Sequence, residues 1–148
     1  MSHARRQALI SLLIWSAVLT GLVAMFLHVG PEQFSDPSFG RYRLAAAAII
    51  LPGYVAHFWL LWRSRRGRRE GELDERDALV ARRASEVALV VVAVVIFVAS
   101  LVLWEAYRDA GAAPAGWFYL VAYGTVALVS LVHAGARLFF DAAGPSDG

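Results

Sequence analysis

The chain has 148 residues, 59% of them hydrophobic, and its 14 basic and 12 acidic residues leave a net charge of +2. A soluble domain holds roughly 45–50% apolar residues, whereas four bilayer spans of about 20 residues need about 80 apolar-rich positions. The arithmetic points to a four-span membrane protein and excludes a water-soluble enzyme, a disordered tail and a collagen-like chain.

Residues 9–29 form the first apolar run, 21 positions without Asp, Glu or Arg. At ~1.5 Å per residue such a run crosses a ~30 Å hydrocarbon core. Arg5 and Arg6 precede it in the manner of a signal peptide, but the run is long and no A-x-A-like site follows, so a retained span is expected. Residues 30–42, with Pro31 and Pro37, read as a polar loop. Residues 44–62 form the second span, and Pro52-Gly53 near its middle predicts a packing kink. Residues 63–86 are the one sizeable hydrophilic segment, a hairpin that opens with five Arg in RSRRGRR and continues with five acids in EGELDERD. Residues 87–104 and 116–136 form the third and fourth spans, joined by a short loop. No internal repeat supports an inverted-repeat transporter.

Orientation follows from the Arg residues, since the chain has no Lys. Arg5, Arg6, the eight Arg from Arg63 to Arg83, and Arg137 fall on one side, 11 in all, against Arg41, Arg43 and Arg108 on the other. The positive-inside rule then predicts an N-in/C-in bundle in the cytoplasmic membrane, with residues 63–86 in the cytoplasm. Trp59 and Trp62 mark one interface and Trp104 and Trp117 the other. The Arg clusters account for themselves as topology signals that touch anionic lipid headgroups, so no nucleic-acid partner is expected.

Within the hairpin, Asp74 can cap a helix, with Glu75 and Asp77 favoured by the dipole of its first turn. The third helix is therefore expected from about residue 75 to about 104, with its first turns projecting into the cytoplasm. Asp74, Glu75, Arg76 and Asp77, followed by Arg82 and Arg83 at the mouth of the span, form a candidate docking motif. A solvated helix start that offsets the neighbouring Arg run is the purely structural alternative. The pattern Asp74-Glu75-Arg76 with Arg83-Ala84, two spans before it and two after, resembles an uncharacterised family of small prokaryotic four-helix membrane proteins with a DER motif (DUF2178). That resemblance implies the same architecture. It carries no activity, and the small helix-turn-helix regulators encoded beside some members hint at sensing or regulation.

Ionisable residues inside a bilayer are costly and mark candidate sites. By depth, His57, Glu86 and His133 share the inner leaflet on three different helices and are expected to face the bundle interior. The alternative is that the two His are hydrogen-bonding glue and Glu86 turns back to Arg82 or Arg83. On the fourth helix Tyr123, Ala127, Ser130, Ala134 and Arg137 share one stripe with His133 at its edge. On the third, Glu86, Ala93 and Ser100 share a face expected to turn inward. The chain has no Cys, HExxH, GxSxG, P-loop or GxGxxG, so no catalytic residue, metal site or cofactor is expected. The leading expectation is a non-enzymatic, accessory or regulatory membrane protein that meets a cytoplasmic protein partner through its hairpin. A small transport subunit, which would have to form a homo-oligomer, comes second, and a bis-His haem protein third.

Overall fold

The computed structural model describes residues 3–35, 40–67 and 75–143, with side chains described for 5–33, 40–60, 62 and 77–143. Five helices account for nearly all of it. They are α1 (His3–Val29), the short α2 (Pro31–Ser35), α3 (Gly40–Gly67), α4 (Glu75–Tyr107) and α5 (Gly116–Ala143). The four long helices each contain a stretch long and apolar enough to cross a membrane. In hydrocarbon only intrahelical bonds satisfy the backbone, so such runs must be helical. Even the Val-rich run of α4 forms one helix of 33 residues, about 50 Å long at ~1.5 Å per residue.

The loops carry their own stop signals. Gly30 adopts φ +82° and its N–H donates to Phe26 O at 2.8 Å, a left-handed cap that ends α1. Pro31 then opens α2, where its missing N–H costs nothing. The expected loop over 30–42 thus holds a short helix, and α3 begins at Gly40. Gly111, at φ +71°, reverses the chain after α4. α3 runs unbroken through Pro52.

Consecutive long helices run antiparallel, but they do not close a ring. α3 packs on α1, α1 on α5 and α5 on α4, and among the described residues no α3–α4 contact of similar extent exists. α1 is therefore central. Its Trp15, Val18, Leu22 and Phe26 join Ala46 and Ile50 of α3 and Ala127 of α5 in the core. Small residues allow the close approaches, as membrane helices require. A Cβ on Gly53 would come within 2.9 Å of Val18 and 3.7 Å of Trp15, and one on Gly116 would overlap the Pro31 carbonyl.

The outward surfaces are apolar. Leu89, Val94, Phe97, Leu101 and Val102 of α4 are exposed, as are Leu51, Val55 and Phe58 of α3. No soluble monomer tolerates so much contiguous apolar surface, and lipid is its natural solvent. The inward face of α4 is Ala84, Ala88 and Val92, all buried. Glu86, Ala93 and Ser100 are exposed instead, which corrects the face assigned to that helix from sequence. Two residues at 3.6 per turn place Glu86 roughly 200° from Ala84. On α5 the expected stripe does turn inward, with Ala127 and Ala134 buried and Tyr123 packed on the core.

Candidate functional site

Helix direction brings the N-terminus of α1, the C-terminal part of α3, the N-terminus of α4 and the C-terminus of α5 to one end of the molecule, here called the Arg-rich end. His57 and His133 lie inside it, one on α3 and one on α5. Both are half-buried. Each also has a partner on a neighbouring helix.

His57 is held by Trp15, the largest fully buried side chain among the described residues. The indole Nε1–H donates to His57 Nδ1 at 3.3 Å, and the two rings meet edge-on with centroids 5.8 Å apart. Tyr54, one turn before His57, also meets Trp15 in a T-shape, with centroids 5.6 Å apart. An indole N–H is only a donor, so His57 Nδ1 must present its lone pair there and the ring proton sits on Nε2.

His133 faces Ser85 of α4. The Ser85 hydroxyl donates to Ala81 O at 3.0 Å, and its oxygen lies 3.4 Å from His133 Nδ1. A hydroxyl has one hydrogen, so Ser85 Oγ accepts from His133 Nδ1–H, which leaves the His133 lone pair on Nε2. The two imidazoles thus hold opposite tautomers. Ser85, Ala88, Leu89, Val92, Val129 and His133 line a half-open groove of about 220 Å³ between α4 and α5.

Glu86 stands apart from both His residues, contrary to the expected three-residue cluster. It points outward and accepts from Arg82 Nε at 3.2 Å, with the two side chains 63% and 79% exposed. An i,i+4 pair on the open side of α4 satisfies the carboxylate without burying it. Of the docking motif, Asp74 lies outside the described residues, as do the side chains of Glu75 and Arg76. Asp77 and Arg83 are exposed, and α4 starts at Glu75, where the helix was expected to begin. Asp77 also lines a small cavity with Arg5 of α1 and Arg137 and Asp141 of α5.

Trp15 and Ser85 were missed from sequence as the partners of the two His. Trp15 carried a signal, because it lies inside a span while the other four Trp sit near span ends, and a buried indole N–H needs an acceptor. Ser85 carried none, since its pairing depends on how α4 rotates against α5.

The opposite end is aromatic. Trp117 Nε1 donates to Tyr107 OH at 2.9 Å, Phe26 lies 5.3 Å from Trp117, and Arg43 lies over Tyr119 at 5.6 Å. Trp104, Tyr107, Trp117 and Phe118 line a cavity of about 400 Å³ there, and the nearby Arg108 is paired with Glu105 at 3.0 Å. No group of three or more His, Cys, Asp or Glu residues able to hold a metal occurs among the described residues.

Four spanning helices, an all-apolar core and a charged end describe a multi-pass membrane protein. The chain belongs to the family described as predicted membrane protein (DUF2178), whose profile matches residues 6–142. No curated protein and no solved structure matches it.

Proposed function

We propose that this is a non-enzymatic accessory or regulatory protein of the cytoplasmic membrane, which engages a cytoplasmic protein partner through its charged hairpin. The observation that carries the reading is the length of α4. Its 33 residues exceed what a ~30 Å core needs, and the surplus turns present Asp77, Arg82 and Arg83 to solvent. A rigid charged helix end is a better docking surface than a solvated loop, because less entropy is lost on binding. The Arg-rich end faces the cytoplasm on this reading and rests on anionic headgroups.

Two other readings fit less well. Permeation through one copy lacks a polar path, since the core from Trp15 to Phe26 is lined by apolar side chains. A transport role would therefore need several copies. Haem or metal ligation through His57 Nε2 would put a proton on Nδ1, facing the Trp15 N–H donor.

The test is site-specific photo-crosslinking from positions 77 and 83 in cells. One defined soluble partner is expected at both positions, lost when Asp77, Arg82 and Arg83 are all replaced by Ala although the chain still inserts. Crosslinks to lipid alone would overturn the docking role. Ion flux in liposomes would favour the transport reading, and a Soret band on purification the haem reading.

A further inference from the structure

The aromatic end holds a half-open cavity of about 400 Å³ between the last turns of α4 and the first turns of α5. Ligand pockets commonly hold roughly 300–1,000 Å³. This one runs from the loop at Ala112 down to Ser100 and Val121. Ser100 lies about 10 Å along α4 from Tyr107, at ~1.5 Å per residue, so the cavity reaches from the interface into the span. Its walls are largely rings. Trp104 from α4 and Phe118 from α5 are 65% and 70% exposed, and neither makes a ring contact or hydrogen bond with a described residue. Trp117 is fixed by Phe26 at 5.3 Å and by its bond to Tyr107. An aromatic belt accounts for exposed rings at an interface, but not for a hollow between them.

The polar side chains of the wall are unevenly satisfied. The Tyr107 oxygen accepts from Trp117 Nε1–H at 2.9 Å, while the Tyr107 O–H hydrogen has no acceptor among the described residues. It is a half-buried donor, held in place by the bond its own oxygen accepts. Arg108 spends Nη1 on Glu105 at 3.0 Å and Nε on Asp109 at 3.5 Å, which leaves its Nη2 hydrogens. Ser100, at the inner end, already donates to Ile96 O at 2.8 Å. The unspent side-chain hydrogens in the wall therefore belong to Tyr107, Arg108 and the Trp104 indole, and a ligand has to bring acceptors. A water would satisfy the hydroxyl but not the apolar rings around it.

We propose that this cavity binds a neutral quinone headgroup drawn from the lipid phase. Charge selects neutrality. Arg108 is the charged side chain in the wall and repels a cation. It is also held by two carboxylates, which an anion would have to displace. The rings select flatness, because a planar conjugated ring stacks on aromatic faces. A quinone carries its carbonyl oxygens in the plane of its ring, so one accepts from Tyr107 O–H while the ring lies among the aromatic walls. Its apolar tail continues past Ser100 and Val121 into the hydrocarbon. The site lies at the end opposite the hairpin and uses none of its residues, so it stands or falls apart from the docking role.

A benzoquinone with a decyl tail is the probe, added to the full chain in nanodiscs with empty nanodiscs as the reference. Saturable binding of one quinone per chain is expected, above its partition into the empty discs. In the infrared spectrum one carbonyl stretch of the bound quinone should fall to lower frequency, the mark of an accepted hydrogen bond. Y107F alone would free the Trp117 N–H as a substitute donor, so it is combined with W117F, which keeps a ring at both positions. The double variant should weaken binding by about three- to tenfold and return the stretch to its free position. Decyltrimethylammonium and decyl phosphate should not displace the quinone. Partition equal to that of empty discs, an unshifted carbonyl stretch, undiminished affinity in the double variant, or displacement by either charged competitor would each overturn the proposal. The binding and infrared measurements on the native chain decide it even where the double variant fails to fold.

Discussion

Single residues decide how closely the helices approach. A Cβ on Gly53 would come within 2.9 Å of Val18, closer than side chains pack, while Gly124 has open space around its Cβ position. G53A is therefore expected to destabilise the protein by about 1–3 kcal/mol through overpacking. G124A should be neutral, or stabilising by up to ~1 kcal/mol from helix propensity. Thermal unfolding of both variants in detergent checks the pair, and equal effects would remove the packing argument. W15F keeps an aromatic ring but deletes the donor to His57, so it is expected to cost about 0.5–1.5 kcal/mol for the lost hydrogen bond plus any packing loss. At this scale the sequence was a partial guide. It located His57 and His133 inside their spans because an ionisable residue stands out in an apolar run. It could not assign Glu86, because burial of a residue near a helix end depends on the rotation of the helix, and a 200° error moves it from core to surface.

Elements follow from their caps and their lengths. α4 begins at Glu75, so amide hydrogen exchange should show protection from residues 78–84, above the membrane edge as well as within it. Fast exchange throughout that stretch would remove the rigid surface the docking role needs. The Arg82–Glu86 pair on this helix is exposed and i,i+4, so R82A should change stability by no more than about 0.5 kcal/mol. A larger loss, measured by the same unfolding assay, would mean the pair is held by something besides its own helix. Element existence was legible because twenty apolar residues in a row leave the backbone one choice. The ends were not. α3 starts four residues before its apolar run and reaches Gly67, and α5 continues to Ala143, because helix propagates past the hydrocarbon boundary until a cap or a glycine stops it. The short α2 was hidden for the same reason: its length leaves no hydrophobic period to read, and Pro31 signals either a loop or a helix start.

The whole molecule is two antiparallel hairpins, α1 with α3 and α4 with α5, joined through α1 and α5. Order along the chain implied neighbours within each hairpin, but nothing in the sequence chose α1 rather than α3 to pack against α5. That choice gives the open α3–α4 side and puts Trp15 at the centre. The functional reading depends on which way this assembly faces. The chain has no Cys, so single Cys probes are clean. The direct measurement is labelling of Ser64→Cys and Asp109→Cys, separately, with a membrane-impermeant thiol reagent on intact cells and after permeabilisation. The account predicts that the position-109 probe labels from outside, and that the position-64 probe labels only once the membrane is opened. Labelling of the position-64 probe from outside would place the Arg-rich end and the hairpin on the wrong side for the role proposed.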